Sequence, residues 1–357
     1  MPECQKGFVG GIQQYIFAHA ISSHKENYID ILLCLTPTKG LDKCLNDVYS
    51  HSNIHCIPLY TSSHFHALIN VLKVMIKMNK YKKKVIIYSP THIYSLILAL
   101  LRFKQVLYLL QKPKPYMLSL IIHSILSGFN NVQYLASDVS VSAMYKFAIR
   151  KNISIFFPDF NKVLTRFHDE LPEELRARNT ELLRYMLIIT YIGFLEHPRF
   201  SIPHFIVFLK ILKSLAGERG KKPLAILIIR PTKYSNILIE YFVRKLKSLQ
   251  LIDHVIIINR FLTVEEKLAI LKRSSAGLYF LLDTPTIIPP TIPPITIAEY
   301  IALGKPVVLL INGSDKLRML GNLYTETKSR KYINIIDISN DSYISEIRKV
   351  VEHILTL

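Results

Sequence analysis

The most constraining feature of this sequence is a regular alternation of short apolar runs with segments of helical spacing. In the second half, the runs of strand length are almost continuously apolar and lie at 185–192, 224–229, 253–258, 277–282 and 306–310. The segments between them have apolar residues at helical spacing and lie at 203–215, 235–248, 264–273 and 296–303. Strands without a polar face are typical of a parallel sheet that helices cover on both sides. The pattern therefore predicts a doubly wound α/β domain.

The first half repeats the alternation less regularly. Its strand-like runs lie at 28–35, 54–60, 84–88, 105–110, 133–136 and 153–157, and its helical segments at 65–78, 93–103, 116–127 and 140–150. An acidic stretch at 159–182 is the predicted linker. We expect a first Rossmann-like domain at 1–165, a second at 180–338, and a C-terminal helix at 339–357 that packs back across them. Two such domains face a cleft, where the carboxyl ends of the strands bind ligands.

Charge is distributed very unevenly along the chain. The formal net charge is +19, and residues 48–137 contain ten lysines and arginines but no aspartate or glutamate. A surface this basic repels itself, so it usually persists where an anionic partner lies against it. The candidate partners are a phosphorylated small molecule, an anionic membrane surface and nucleic acid.

The segment from Thr296 to Val308 (TIAEYIALGKPVV) combines a helix, a stop signal and a strand. Thr296 can cap the helix, which would place Glu299 in its first turn. Gly304 ends the helix, and Pro306 prevents its continuation. The free N–H groups of a helix N-terminus bind phosphate, and an acidic side chain beside them can accept hydrogen bonds from a ribose diol. The segment therefore predicts a site for a phosphorylated nucleoside.

This segment resembles the signature of the group 1 glycosyltransferases, which are retaining sugar-nucleotide enzymes of the GT-B fold. The signature is Glu-Ala-x-Ala-x-Gly-x-Pro-Val, and this chain matches it except for Tyr300 in the first alanine position. The run LTVEEK at 262–267, the segment 268–276 and the strand after them agree with the family in order and spacing. The turn YIGFLEHPR at 191–199 resembles the family's strand-Gly-Arg-Leu-x-x-x-Lys turn, and GGIQQY at 10–15 resembles its double-glycine loop.

The resemblance implies roles for particular residues. Glu299 would hold the donor ribose, and the amides of Ile297 and Ala298 would face the donor diphosphate. Arg199 stands at the position of the family's lysine, which neutralises the phosphates of the leaving nucleotide. Arginine suits this catalytic role because its planar fork binds phosphate oxygens in pairs. Gly10 and Gly11 would let the first-domain backbone approach the diphosphate closely.

Other basic side chains follow predicted strands and are further candidates for the cleft. Arg230 and Lys233 come directly after the strand that ends at residue 229, and we interpret them as donor-binding residues. His92 follows the strand that ends at residue 88, and we interpret it as a catalytic candidate. An exposed turn explains Arg230 and Lys233 almost as well, and a capping or loop histidine explains His92.

The sequence also departs from the family pattern. Thr291 occupies the position where a second glutamate is common, and Phe194 occupies the position of the arginine that follows the glycine. The segment from Arg230 to Lys233 replaces the glycine of a phosphate-binding turn. These departures favour, as an alternative, a catalytically weakened GT-B protein that binds a nucleotide sugar or a partner without transfer.

Several kinds of site lack a sequence signal. The chain has no Walker A loop, no GxGxxG, no HExxH and no nucleophile elbow. It also has no DxD-like pair at a strand end, and its cysteines lack the close pairing of zinc sites. We therefore expect neither a cofactor nor a metal. No apolar run reaches the roughly 20 residues of a membrane span, so we expect a cytoplasmic protein, peripheral at most on the inner face of the membrane.

A stripe of lysines lies on the predicted helix at 65–78 and its continuation. Lys73, Lys77 and Lys80 recur at i, i+4 and i+7, and Lys82, Lys83 and Lys84 follow them. The stripe is either an ordinary solvated helix face or a surface that docks on anionic lipid headgroups. Nucleic acid is the poorer partner, because the chain shows no binding module and no interleaved aromatic pattern.

The sequence therefore predicts a hexosyltransferase-type glycosyltransferase. It would move a sugar from a nucleotide-sugar donor to a sugar or lipid-linked acceptor, with retention of configuration. Besides the weakened GT-B protein, a second alternative is a nonenzymatic protein whose basic half binds a membrane or nucleic acid.

Overall fold

A computed structural model gives the chain as two compact units, Met1–Lys162 and Val163–Leu357, and each unit is considered by itself. The structure describes residues 30–36, 54–60, 69, 73, 85–88, 92–102, 104–109, 116–136, 142, 145–155, 170–176, 186–196, 200–282, 295–312 and 332–356.

The described strands of the first unit form two parallel sheets. In one sheet, β1 (Asp30–Thr36) pairs with β2 (Ile54–Tyr60). The other sheet has the order β3-β4-β5-β6, and its elements follow the chain as β3 (Val85–Tyr88), α1 (His92–Leu100), β4 (Gln105–Leu109), α2 (Tyr116–Leu126), β5 (Val132–Ala136) and β6 (Ile153–Ile155). Strand β4 is buried along its whole length, as its apolar sequence predicts.

The second unit contains a six-stranded parallel sheet. Its described elements are α3 (Glu173–Arg176), β7 (Met186–Gly193), α4 (Ile202–Glu218), β8 (Lys222–Ile229), α5 (Ser235–Ser248), a 3₁₀ turn (Ile252–His254), β9 (Val255–Ile258), α6 (Val264–Arg273), β10 (Ala276–Leu281), α7 (Ile295–Ala302), β11 (Val307–Ile311), β12 (Ile333–Asp337) and α8 (Tyr343–Thr356).

The strand order of this sheet is β12-β11-β10-β7-β8-β9. The chain builds outward from β7 in one direction, crosses back, and builds outward from β10 in the other. This is the strand order of a Rossmann sheet, and the order reverses between β7 and β10. The predicted class, α/β with two Rossmann-like domains, is therefore confirmed.

Two segments differ from their predicted structure. Residues 253 and 254 were expected to begin a strand but belong to a 3₁₀ turn, in which the amide of Val255 donates to the carbonyl of Ile252. The helix predicted for 140–150 has ended by Lys146. At its end the amides of Ala148 and Ile149 both donate to the carbonyl of Tyr145, which is a common pattern at helix termini.

Apolar side chains cover both faces of the six-stranded sheet. Alternate residues of β7 point to opposite faces, so Leu187 and Tyr191 join one cluster while Ile188 joins the other. The larger cluster contains the buried sides of α4, α5 and α8 and a group of packed aromatic rings. The smaller cluster contains Leu175 of α3 and Ile270 of α6. The two-sided burial explains why these strands have no polar face.

The C-terminal helix α8 is amphipathic. Its buried residues, Ile347, Val351, Ile354 and Leu355, pack against the cluster that includes α4. Lys221, between α4 and β8, donates from Nζ to the carbonyl of Leu355, at 3.2 Å. Helix α8 thus packs on α4 of its own unit. Of the helices that the structure describes, none has the length and apolar content needed to cross a membrane.

Part of the acidic stretch predicted as a linker packs on the second unit. Leu175 of α3 is 1% exposed and lies in the smaller apolar cluster. Arg260, just after β9, binds Glu174 through Nε and Nη2, both at 2.9 Å. The same guanidinium binds Glu266 of α6 at 2.9 and 2.8 Å. Arg260 thereby fastens α3 to the N-terminal end of α6.

This network predicts a loss of stability in acid. Hydrogen bonds from Arg260 hold the pKa of Glu174 below its ordinary value of 4.5. Burial alone would raise the pKa of Glu266, but the bonds from Arg260 and from the Thr263 amide outweigh it, so this pKa is also lowered. A lowered folded-state pKa stabilises the fold above pH 4.5, and the contribution disappears as the pH falls through the folded-state values.

We expect Glu174→Gln to lower the free energy of unfolding at pH 7 by up to about 1 kcal/mol, because the ion pair with Arg260 is partly exposed. The variant should therefore unfold at a lower denaturant concentration than wild type. The difference should shrink as the pH falls below 4.5. Urea unfolding followed by circular dichroism at several pH values measures both effects. A difference that is constant over this pH range would show that the Glu174 charge does not contribute.

Candidate active site

The carboxyl ends of β7 and β8 carry a cation that lies close to two aromatic rings. Arg230 follows β8 directly, and its backbone N–H donates to the carbonyl of Gly193 at the end of β7, at 2.9 Å. The Cζ atom of Arg230 lies 5.3 Å from the centre of the Phe194 ring and 5.8 Å from that of the Phe261 ring. Both distances are within the range of cation–π attraction, which favours this position of the guanidinium. Arg230 therefore lies at the predicted edge of the sheet, next to the strand where its order reverses.

This arrangement explains why a phenylalanine, Phe194, can occupy a position where the group 1 glycosyltransferases have an arginine. The family has an arginine at that position, whereas in this chain the Phe194 side chain is the platform for an arginine from the neighbouring strand. The guanidinium of Arg230 therefore lies close to the position of residue 194, although residue 194 itself is not an arginine. Lys233 lies further along the same turn, is exposed, and has its Nζ 4.6 Å from the ring of its neighbour Tyr234.

Helix α7 carries Glu299, and the structure corrects the predicted position of this residue in the helix. The helix begins at Ile295, so Thr296 lies inside it and does not cap it. Proline is tolerated in the first turn of a helix, and two prolines immediately precede Ile295 in the sequence. Glu299 is therefore the fifth helical residue and lies beyond the first turn. Ile297 and Ala298 are among the first four residues, whose amides have no partner within a helix.

Glu299 is buried and forms an ion pair with α6. Its Oε1 accepts a hydrogen bond from Lys267 Nζ at 2.7 Å, and the two side chains are 5% and 12% exposed. Its other oxygen, Oε2, is also buried and has no hydrogen-bond partner among the residues that the structure describes. A buried carboxylate oxygen without a partner is costly, and a hydrogen-bond donor at Oε2 would satisfy it. Sequence reasoning did not identify Lys267.

The residue after Glu299 anchors the helix to the sheet. The Tyr300 side chain is fully buried, and burial raises the pKa of its hydroxyl. A Cβ atom added to Gly277 of β10 would lie 2.6 Å from Cε2 of Tyr300, which is closer than real contacts allow. Gly277 thus makes the room that Tyr300 needs. This explains how the chain holds a tyrosine where the family signature has alanine.

We expect Gly277→Ala to destabilise the protein by about 1–3 kcal/mol, because the added methyl group must displace the Tyr300 ring. Urea unfolding measures the change, and the double variant Gly277→Ala/Tyr300→Leu should recover part of the loss. Gly217→Ala is the matched control. A Cβ at Gly217 meets nothing within 4 Å, and alanine favours the helix α4 in which it lies. Equal effects at both glycines would contradict the proposed contact.

The end of α7 is built as the sequence predicts, and it also fixes α6. Gly304 has a φ of 69°, and the amide of Lys305 donates to the carbonyl of Tyr300 at 2.9 Å, which closes the helix. The Lys305 amine donates to the carbonyls of Lys272 and Ser274 at the end of α6. Burial lowers the pKa of this amine to about 8. The Gly304-Lys305-Pro306 segment therefore joins α7 to α6, the helix that carries Lys267.

Most of the other predicted site residues lie outside the part of the chain that the structure describes. Arg199, Thr291, Gly10 and Gly11 lie outside the described residues. His92 is the first residue of α1, and only its backbone is described. Lys73 is an exposed helical residue, and the other lysines of the stripe lie outside the described part of the chain. The structure thus brings Glu299 together with Lys267, and Arg230 together with Phe194, within the second unit.

Comparison with known proteins gives the fold a name. No protein-family model and no curated protein sequence matches this chain. HepE from Anabaena, solved in complex with UDP, is similar in structure with a TM-score of 0.55 and 14% identity, over 99% of this chain and 95% of that one. A glycosyltransferase from Rickettsia africae has a TM-score of 0.54 and 14% identity, over 91% of this chain and 79% of its own.

UDP-GlcNAc 2-epimerase from Methanocaldococcus jannaschii has a TM-score of 0.58 and 13% identity, over 97% of this chain and 90% of that one. These proteins share the GT-B fold, and this chain has it too.

Proposed function

We propose that this protein is a glycosyltransferase that moves a sugar from a nucleotide-sugar donor to an acceptor hydroxyl, with retention of configuration. The observation that carries the proposal is Glu299, a buried carboxylate with one oxygen held by Lys267 and the other without a partner among the described residues. A ribose hydroxyl that donates to Oε2 would satisfy this oxygen. The fold adds support, since the related HepE structures contain UDP and UDP-glucose.

The roles of the other residues follow from the charge of the donor. In the transfer, the acceptor oxygen forms a bond to the anomeric carbon, and the bond from that carbon to the diphosphate breaks. Negative charge develops on the leaving diphosphate, so fixed cations beside it lower the barrier. We assign this role to Arg230, whose guanidinium lies within cation–π distance of Phe194 and Phe261, and to Arg199. Lys233, the amides of Ile297 and Ala298, and the Gly10–Gly11 backbone would bind the same phosphates.

The acceptor belongs to the first unit in this proposal. When no bond forms between the sugar and the enzyme, retention requires the acceptor oxygen to approach on the face from which the diphosphate leaves, and the acceptor proton then passes to the leaving phosphate. His92 is the candidate side chain for positioning the acceptor hydroxyl. We further propose a lipid-linked acceptor and a peripheral location on the inner face of the membrane, because residues 48–137 of the first unit contain ten lysines and arginines and no aspartate or glutamate.

A ligand panel and a product assay test the proposal. Thermal unfolding is recorded with nucleoside diphosphates and nucleotide sugars of each base; a ligand at about 100 times its Kd stabilises a fold by about 2.7 kcal/mol. We expect one nucleotide to stabilise the protein selectively. With that donor and a membrane extract as acceptor, the nucleoside diphosphate should be released and the sugar recovered with its original anomeric configuration.

Other outcomes would overturn the proposal in different ways. No stabilisation by any nucleotide, in a folded protein, would exclude a donor site. Conversion of the donor sugar to an epimer, without transfer, would instead assign the chain the kind of activity named for its Methanocaldococcus jannaschii neighbour. Stabilisation without any donor turnover would favour a weakened GT-B protein.

A further inference from the structure

Helix α2 of the first unit is a surface helix without a single charged residue. Its inner side contributes Ser119, Ile122, His123 and Leu126 to the buried interior. The opposite side is also apolar: Met117, Leu118, Ile121 and Ile125 are 69%, 53%, 55% and 50% exposed. These four residues follow helical spacing and are called the outer face of α2. An exposed helix face made of four large apolar side chains marks a surface that another molecule covers.

The neighbouring helix, α1, also exposes apolar side chains. Helix α1 is also uncharged, packs beside α2, and ends in Leu100, with Leu101 immediately following. These two leucines are 62% and 51% exposed. Asn131, in the turn before β5, donates from Nδ2 to the carbonyl of Ala99, which joins this end of α1 to the chain that follows α2. Two adjacent helices therefore present apolar side chains to the outside of the same unit.

The charges around these helices decide which partner fits. Arg102 and Lys104 follow α1, Lys146 and Arg150 lie further along the unit, and all four are exposed. No aspartate or glutamate occurs anywhere from residue 48 to 137. Basic residues near this face in the sequence would be attracted to anionic lipid headgroups, and its apolar side chains suit the region where headgroups meet acyl chains. No acidic residue in the same stretch of sequence opposes this attraction. An acidic membrane surface would attract the unit, and the apolar side chains could then enter the boundary region.

We propose that the outer face of α2 is the element by which this protein docks on an anionic phospholipid surface. The helix lies in the plane of the membrane, because its 11 residues span only about 16 Å, against roughly 30 Å of bilayer hydrocarbon. This inference rests on the proposed function in one respect, the lipid-linked acceptor. Docking would bring the protein to the membrane in which such an acceptor lies. This mode of docking differs from docking through the lysine stripe, because no residue of the outer face of α2 belongs to that stripe.

Vesicle co-sedimentation tests the proposal on the full chain. Vesicles of phosphatidylcholine alone are compared with vesicles that also contain phosphatidylglycerol, at low and high salt. The test variant is Ile121→Ser/Ile125→Ser. The matched control is Ile237→Ser/Ile344→Ser, which makes the same change at isoleucines of the second unit that are 67% and 50% exposed. Circular dichroism melts and nucleotide stabilisation establish that each variant is folded and retains its donor site.

We expect wild type and the control variant to bind the phosphatidylglycerol vesicles, and salt to weaken this binding. The Ile121→Ser/Ile125→Ser variant should bind about tenfold more weakly, because two apolar side chains no longer leave water. Equal binding by both variants, or no binding by wild type, would overturn the proposal. If wild type does not bind vesicles but forms dimers, and the Ile121→Ser/Ile125→Ser variant is monomeric, the outer face of α2 binds a second copy of the chain instead. Nucleotide stabilisation is measured separately, so failure of docking is distinguishable from failure of the donor site.

Discussion

Lys267→Met is expected to destabilise the second unit by about 3–5 kcal/mol, because it leaves the Glu299 carboxylate buried without its counter-charge. Methionine preserves most of the length and apolar contact of the lysine stem, so the loss of charge dominates the effect. Removal of one partner of a buried pair costs far more than the pair contributes, since the remaining ion cannot recover its hydration. Urea unfolding followed by circular dichroism measures the change.

Two further variants make this result specific. Lys267→Met/Glu299→Leu removes both charges, and replacement of a buried ion pair by apolar side chains is often neutral, so most of the lost stability should return. Arg348→Met breaks the exposed pair with Glu352 in α8, whose side chains are 59% and 44% exposed. This control should cost no more than about 1 kcal/mol. A Lys267→Met variant as stable as the control would mean that the Glu299 carboxylate is not held as described.

The second large effect concerns donor binding. Glu299→Gln is expected to weaken nucleoside diphosphate binding by about 10- to 100-fold, because a hydrogen bond to a charged acceptor contributes about 1.5–3 kcal/mol. Glutamine keeps the length of the side chain and an oxygen that can accept from Lys267. The group that then faces the ribose is an amide N–H₂, which cannot accept a hydrogen bond. Isothermal titration calorimetry with the nucleotide identified by the ligand panel gives the affinities.

A ligand without ribose hydroxyls separates this role from a general loss of structure. The 2′,3′-dideoxy form of the same nucleotide should bind wild type about as weakly as the full nucleotide binds Glu299→Gln, and the variant should show little further loss with it. Glu352→Gln makes the same chemical change on the surface of α8 and should leave both affinities unchanged. If Glu299→Gln weakens both ligands equally, Glu299 does not contact the ribose.

The fold was largely predictable because it depends on short-range patterns. Strands buried on both faces are apolar throughout, so segments such as Lys222–Ile229 and Val307–Ile311 can be located from the sequence without tertiary information. The end of α7 was predictable for a similar reason, since Gly304 adopts a left-handed φ of 69° that favours glycine. With Thr296 as the cap, the predicted start of α7 was wrong by two residues, and the earlier start moved Glu299 out of the first turn.

The details of the site depend on long-range packing and were not predictable in the same way. Lys267 and Glu299 are 32 residues apart, and only the strand order brings α6 beside α7. The contact of Gly277 with Tyr300 left a fainter signal, because a glycine inside an apolar strand often marks a close approach of another group. Stacking of Arg230 on Phe194 needs β7 and β8 to be neighbours, which periodicity does not reveal.

The strand order also has a consequence for how the chain is synthesised. Strand β7 pairs with β8 soon after both leave the ribosome, but its other neighbour is β10, and the contact of Ile188 with Ser275 spans 87 residues. Until β10 emerges, the central strand of the future sheet has an open, apolar edge that can pair with other chains. Fragments that end before residue 276 should therefore aggregate. Protection of this edge depends on the later half of the same unit, which must be translated before the sheet can close.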